Sequence, residues 1–415
     1  MRNIKFFDDL IKSYISTNKT IVNKKISNFL PPGENYMSDI LKIDVTLKNN
    51  ENGNEEEIHI IAKVAATNEF VGSTSYMTKS ELLFYQEIIP AIESFSERHG
   101  LPKPSFFPKF MGGRLNLTGG TTADDNAVIL IENLLGFENV DRHVGFDLVT
   151  TKYILKDLAT FHAIPIAMKL LEPELFETKL KANCYGLILP KRIEYDENGA
   201  EIEAVGFPEN TLEGHIFLIK LLQQDERYIE ASKKYEKFYN RIKNIISREA
   251  TKLFHSEPVD PYATLVHQDM WINNIMLVFQ DGRSIENKFI DFQICRITSP
   301  ITDLLFFLFT SVQTSCLKSH LDALITHYHD HFVEILKTSG CYNSQFSYEN
   351  FLKEMRASST QAIIQTVFML PNVVWQKKGE MYESAKKESL FQDHSPKLAE
   401  RLTVLGVEAA KRGWI

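Results

Sequence analysis

Cysteine is scarce: Cys184, Cys295, Cys316 and Cys341 are the only four in 415 residues, and no two form a CxxC pair. So sparse a set excludes a disulfide scaffold and points to a reducing compartment. Long apolar runs are lacking as well. The longest markedly apolar stretch, ITDLLFFLFTSV at 301–312, falls well short of the ~20 residues that span a bilayer, and it carries Asp303. A carboxylate embedded in such a stretch costs several kcal/mol unless it is partnered, so Asp303 needs a structural explanation. No excess of basic charge is present either. Lys and Arg number 46 against 54 Asp and Glu, a formal net charge of −8, which gives no general attraction to nucleic acid or anionic lipid. The N-terminus, MRNIKFFDDLIKSY, places Asp8 and Asp9 where a secretory signal needs uninterrupted apolar residues. It reads as an amphipathic first helix, and the expected location is cytoplasmic. No fixed-period repeat or low-complexity tract is present, which argues against a solenoid.

What is present is the composition of a soluble globular protein, 44% hydrophobic and 24% charged, in a chain nearly three times the ~150-residue domain norm. A bilobal chain is expected. KIDVTLKNN (42–50) and EIHIIAKVA (57–65) alternate around a polar, Gly-containing segment and predict an antiparallel hairpin. Residues 78–95 carry Leu82, Leu83, Tyr85, Ile88, Ile89 and Ile92 on one helical face, with Pro90 expected to bend or divide it, so the predicted helix is 79–89. AVILIEN (127–133) reads as a strand. From about 145 onward, helical stretches at 146–164, 211–254 and in the last forty or so residues dominate, so the domain boundary falls in the break at 134–145. The expectation is an N-terminal lobe, 1–134, and a mainly helical C-terminal lobe, 135–415.

The chemistry concentrates in LVHQDMWINNIMLVFQDGRSIENKFIDFQ, residues 265–293. Two strand-like arms flank the turn QDGRSIE and bring His267, Asp269, Asn274 and Asp291 to strand mouths or the adjoining loop. Asp269 and Asn274 are five apart, the interval between the hydroxyl-orienting Asp and the metal-holding Asn of a kinase catalytic loop, and Asp291-Phe292-Gln293 stands where a kinase has DFG. Phosphates that arrive with Mg²⁺ require hard oxygen ligands, and in-line transfer is mostly positioning and charge neutralisation. Two carboxylates and one amide meet that need. His267 is read as bracing the loop rather than moving protons. Upstream, Lys63 is an unexpected lysine inside a strand and Glu81 follows on the next helix, so the two can pair and aim the lysine at phosphate. The segment 31–45 would be the loop over the phosphates, with Gly33 permitting a tight turn and the backbone amides of Glu34 to Ser38, Asn35 and Tyr36 among them, facing oxygen. Glu132, Asn133 and Leu134 end a strand where the lobes would join and adenine would meet backbone groups.

These segments resemble the ecdysteroid-kinase-like family, distant relatives of choline and aminoglycoside kinases. The resemblance runs through GENYMSDILKIDV (33–45), IIAKV (60–64), ELLFYQEIIP (81–90), LIENL (130–134), LKDLATFHA (155–163), LVHQDMWINNIM (265–276) and FIDFQICRITSPITDLLFFLFTS (289–311). It implies an α+β, two-lobed protein-kinase-like fold, with a small antiparallel-sheet lobe and a larger helical lobe. It also implies ATP- and Mg²⁺-dependent phosphorylation of a small-molecule hydroxyl, in the best-known case that of an ecdysteroid. By motif, Asp269 would be the base, Asn274 and Asp291 the Mg²⁺ ligands, Lys63 the phosphate-contacting lysine and Glu81 its partner, while Asp303 would brace the catalytic loop and His162 would pack beneath it. One departure is visible, since the usual motif reads HGD and Gln268 replaces the glycine. Glutamine serves there if the backbone dihedrals are ordinary or if its side chain faces the cleft.

The expected partner is a small-molecule hydroxyl substrate, a steroid among the candidates, with no nucleic acid, membrane or obligate protein partner. The alternatives are a choline- or aminoglycoside-type kinase and a catalytically silent pseudokinase. The absence of an APE element and of the HRDLK lysine speaks against protein substrates.

Overall fold

In a computed structural model of the chain, residues 4–29, 38–65, 71–189, 191–195, 200–206, 212–254, 257, 259–374 and 396–415 are described. Five antiparallel strands form the first sheet: β1 (Lys19–Asn28), β2 (Ser38–Asn49), β3 (Glu55–Ala65), β4 (Phe110–Arg114) and β5 (Val128–Glu132), in the order β1-β2-β3-β5-β4. The β2–β3 pair is the hairpin that the alternation predicts, with Ile43 opposite Ile60 and Ile40 opposite Lys63. Side chains alternate across the sheet, and that period of two fixes the register. Leu41, Ile43, Val45, Ile60, Ala62, Val64, Val128 and Leu130 bury one face against Phe7 and Ile11 of α1 (Phe7–Ile11), while Ile129 and Ile131 turn to the opposite face and join the main core. β4 runs under α1, and Gly112 is required there: its φ is 151° and a Cβ would sit 2.2 Å from the Leu10 carbonyl oxygen.

A helical segment packs on the second face of the sheet. The predicted helix 79–89 is longer than expected: α2 (Val71–Leu83) runs through a widened π turn at Phe84–Ile88 into α3 (Ile89–Arg98). Pro90 neither stops nor divides it, because it stands at the start of α3, where the missing N–H disturbs least after a widened turn.

The second lobe is mainly helical. α4 (Leu148–Leu171) is capped by Asp147, whose carboxylate accepts the Thr150 N–H at 2.8 Å. A single turn, α5 (Pro173–Leu175), follows, and then a hairpin of β6 (Lys191–Tyr195) with β7 (Glu201–Val205). The expected 211–254 helical stretch is in three pieces, α6 (Glu213–Gln223), α7 (Ile229–Arg248) and α8 (Thr251–Phe254), and at the first break Asp225 caps a new start by accepting the Arg227 N–H. β8 (Thr264–Val266) pairs with β11 (Arg296–Thr298) and frames the hairpin of β9 (Ile275–Gln280) and β10 (Arg283–Phe289). That hairpin turns through Asp281-Gly282 alone, both in the left-handed region at φ 51° and 73°, which matches the twist of paired strands. α9 (Ile301–Ser311) is buried along its whole length, α10 (Thr314–Thr338) packs along α4, and α11 (Tyr348–Val374) and α12 (Pro396–Arg412) close the lobe. The fold is thus α+β with two lobes. Among the described residues no helix is long and apolar enough to cross a membrane.

Candidate active site

The site lies where the two lobes meet. β3 carries Lys63 and α2 carries Glu81, and the π turn that follows brings Phe84 onto Phe292, the rings stacked at 4.0 Å and 5°. Phe292 also meets Tyr85, Phe107, Phe161 and His267, so the residue after Asp291 is clamped by aromatic groups from both lobes. This fixes the direction of the short segment that bears Asp291, whose φ of 73° is left-handed. Lys63 Nζ then bridges two carboxylates, donating to Glu81 at 2.7 and 2.8 Å and to Asp291 Oδ1 at 2.6 Å. Burial opposes its charge, but Asp291 and Glu81 more than reverse that, so the ammonium titrates above its ordinary range.

Asp269 and Asn274 face this group from the loop between β8 and β9. The Asn274 amide donates to both the carbonyl and the carboxylate Oδ2 of Asp269, each at 2.8 Å. That orientation leaves Asn274 Oδ1 for another ligand. Burial, helped by the nearby Asp291 charge, pushes Asp269 up to about 7, although the Asn274 hydrogen bond pulls the other way. His267 is neutral and structural: its Nε2 faces the Ile290 carbonyl at 2.9 Å and its Nδ1 accepts the Asp269 N–H at 3.2 Å. Burial lowers its affinity for a second proton.

Asp303, fully buried on α9, finds its partners in this loop. It accepts the His267 N–H at 2.6 Å and the Gln268 N–H at 2.8 Å, and His162 Nε2 stands 3.2 Å from the same carboxylate. His162 is held in turn by the Tyr328 hydroxyl at 2.7 Å. Tyr328 carries no sequence signal, since it belongs to the bracing only through the α4–α10 packing. The ordinary backbone that would let glutamine replace the glycine is not found at Gln268: its φ is 66°, left-handed, and its side chain is buried, 2% exposed.

The remaining candidates are spread more widely. Glu132 ends β5 with its carboxylate Oε1 accepting the Lys109 N–H at 2.8 Å and its own N–H donating to the Lys109 carbonyl at 2.9 Å. The Leu134 carbonyl accepts from Phe137 at 3.1 Å, and the Leu134 N–H has no partner among the described residues. Ser38 opens β2, and Gly33, Asn35 and Tyr36 lie outside the described residues. Among the described residues no group of three or more His, Cys, Asp or Glu could hold a metal ion. All four cysteines are free.

Among solved structures, the chain is similar to the GDP complex of aminoglycoside 2'-phosphotransferase-IIIa, at 10% identity, covering 100% of this chain and 99% of that one with a TM-score of 0.40. It is also similar to macrolide 2'-phosphotransferase from Brachybacterium faecium, at 9% identity, covering 90% and 93% with a TM-score of 0.36. A third likeness is to choline kinase from Streptococcus pneumoniae, at 11% identity, covering 97% and 95% with a TM-score of 0.31. Likenesses at this level carry no functional weight. No curated protein sequence matches the chain. The model of the ecdysteroid kinase-like family, however, matches residues 32–341, well over half of the chain. The chain therefore belongs to the ecdysteroid kinase-like family and is a phosphotransferase that acts on hydroxyl groups.

Proposed function

We propose that this phosphotransferase is an ATP- and Mg²⁺-dependent small-molecule kinase that moves the γ-phosphoryl group to an alcohol hydroxyl of an ecdysteroid or another sterol-like compound. The observation that carries the reading is the convergence of Lys63, Glu81 and Asp291 in one cluster with Asp269 and Asn274 facing it. In this reading residues 1–134 clamp the nucleotide and residues 135–415 supply the catalytic loop and acceptor pocket. Lys63, held by Glu81, reaches the phosphates, and the Leu134 N–H and Glu132 carbonyl meet adenine. Gly33, Asn35, Tyr36 and Ser38 cover the phosphates.

The residues fit a magnesium ion. A carboxylate and an amide oxygen are hard ligands, and Mg²⁺ binds through one or two protein groups plus phosphates and water rather than in a dedicated cage. Asp291 and Asn274 would hold it, and the ion supplies neutralisation of phosphate charge. Asp269 aligns the acceptor hydroxyl and takes its proton as the bond to phosphorus forms, and Asn274 keeps the carboxylate turned toward the cleft. Asp303 and His267 hold the loop so that this alignment needs no reorganisation. The ecdysteroid acceptor is supported by the family to which the chain belongs, and free, sparse cysteines favour the cytoplasm.

The test is transfer of label from γ-labelled ATP by the purified protein, with and without Mg²⁺, to ecdysteroids, other sterols, choline and aminoglycosides. A phosphorylated steroid, formed only with Mg²⁺, is the expected product. Transfer to choline or an aminoglycoside instead would refute the acceptor, and nucleotide binding without any transfer would favour a pseudokinase.

A further inference from the structure

One polar feature that the site above leaves unexplained is a set of buried amides around Gln268, the neighbour of Asp269 in the loop. Gln268 adopts a left-handed backbone that is strained for a residue with a Cβ, at a cost of about 1 kcal/mol. Its backbone is fixed from both sides, the N–H donating to Asp303 Oδ1 at 2.8 Å and the carbonyl accepting from the Gln365 side chain on α11. Its own side chain is different. Both Nε2 and Oε1 of Gln268 are buried with no hydrogen-bond partner among the described residues. Gln365 spends its Nε2 on the loop and leaves Oε1 buried and unpaired, and Gln361, one helical turn earlier on the same face of α11, has an unpaired buried Nε2. Each such atom costs about 1–3 kcal/mol when it lacks a partner. Gln268 and Gln365, joined at the loop that carries the candidate base, therefore leave one donor and two acceptors unpaired, and Gln361 adds a second donor one turn along α11, a concentration that a bound molecule would relieve.

We propose that Gln268, Gln361 and Gln365 form an uncharged recognition cluster that hydrogen-bonds hydroxyl groups of a neutral, multiply hydroxylated acceptor while Asp269 engages the hydroxyl to be phosphorylated. This rests on the kinase reading and adds to it the residues that select the acceptor. A hydroxyl both donates and accepts, so it satisfies either amide atom. An ammonium group only donates and would leave the Gln268 and Gln361 N–H groups unpaired. A site built to bond a hydroxyl also rejects an analogue that lacks it, because its own buried groups are then left without partners.

The experiment is calorimetry on the full chain with Mg²⁺ and a non-hydrolysable ATP analogue, titrating a steroid with several hydroxyl groups, a steroid with one, choline and kanamycin. Phosphate transfer to each is followed in parallel with ATP. The variant is Gln268→Gly, which suits the left-handed backbone and retains the Asp303 and Gln365 contacts. The expected result is tightest binding of the multiply hydroxylated steroid and about a tenfold loss in Q268G, with nucleotide affinity unchanged. If Q268G does not fold, Gln361→Met, remote from the loop backbone, is expected to show the same selective loss. Equal affinity in wild type and variant overturns the proposal. So does tighter binding of choline or kanamycin, or binding of no probe at all, the amides then being hydrated by water alone. A selective loss of steroid binding in a protein that transfers no phosphate would support the cluster and refute the kinase reading. Transfer to steroid with an unchanged KM in Q268G would do the reverse.

Discussion

Asp303→Ala removes a carboxylate that ties the catalytic loop to the helical core. In the structure that carboxylate is fully buried and receives two backbone N–H groups, from His267 and Gln268, with His162 at 3.2 Å as a third contact. Alanine leaves both N–H groups buried without an acceptor, and hydrogen bonds to a charged group are worth about 1.5–3 kcal/mol each. The expected loss is about 3–5 kcal/mol, in the range for breaking a buried charged contact from one side. Asp303→Asn keeps a single acceptor oxygen and should lose roughly half as much. Equilibrium unfolding in urea, read by far-UV circular dichroism, measures both. Because the left-handed backbone of Gln268 depends on the same bond, phosphate transfer should fall in both variants while nucleotide affinity holds. An Asp303→Ala variant within about 1 kcal/mol of wild type would refute the bracing argument, since no loss that small is compatible with two orphaned buried donors.

Further predictions follow from the same structure. Glu81→Gln takes one of two carboxylates from Lys63; the lysine should drift from the phosphates, weakening nucleotide binding by about tenfold, and calorimetry giving an unchanged Kd would contradict that. Asp291→Ala should abolish the Mg²⁺ dependence of nucleotide binding, and persistence of that dependence would remove Asp291 from the cation site. Asp157, on α4 and bonded to Asn287 at 2.9 Å, is pushed up to about 6 by burial from an ordinary 3.8. A carboxyl raised in the folded state favours folding while protonated, so the stability it contributes is present below pH 3.8 and lost as pH rises through about 6. Asp157→Asn should therefore be more stable than wild type near pH 7.5, by about 3 kcal/mol at most, and should flatten the stability profile between those values. Thermal unfolding of both proteins at pH 4 and 7.5 checks it, and a variant no more stable at pH 7.5 would count against it.

Where the sequence was legible, a local rule acted on neighbouring residues. Alternation in β2 and β3 shows because each strand buries one face, and the β9–β10 hairpin shows by its apolar arms, although the turn expected over QDGRSIE is Asp281-Gly282 alone and Arg283 onward is already strand. β1 leaves no such pattern since Lys19–Asn28 is a mostly exposed edge strand whose polar side chains need not alternate. The β6–β7 hairpin is hidden for the same reason, exposing Ile193 and Tyr195. At the site, Asp303 shows as a charge in an apolar run and the family motif places it as a brace of the catalytic loop, where the structure puts it; spacing alone does not point to its partners, which lie 35 and 36 residues away. The contacts among His162, Asp303 and Tyr328, and the Gln365 amide on the Gln268 carbonyl, exist only because helices distant in sequence pack together.

The most direct test of the central claim compares wild type with Asp269→Asn in phosphate transfer from γ-labelled ATP to a hydroxylated steroid, with nucleotide affinity measured on the same samples. Asparagine preserves the shape of the side chain and removes the base. Transfer should fall at least a hundredfold, in line with the ~10²–10⁴ contribution of a positioned base, with ATP binding intact. Transfer at the wild-type rate by Asp269→Asn would contradict the account.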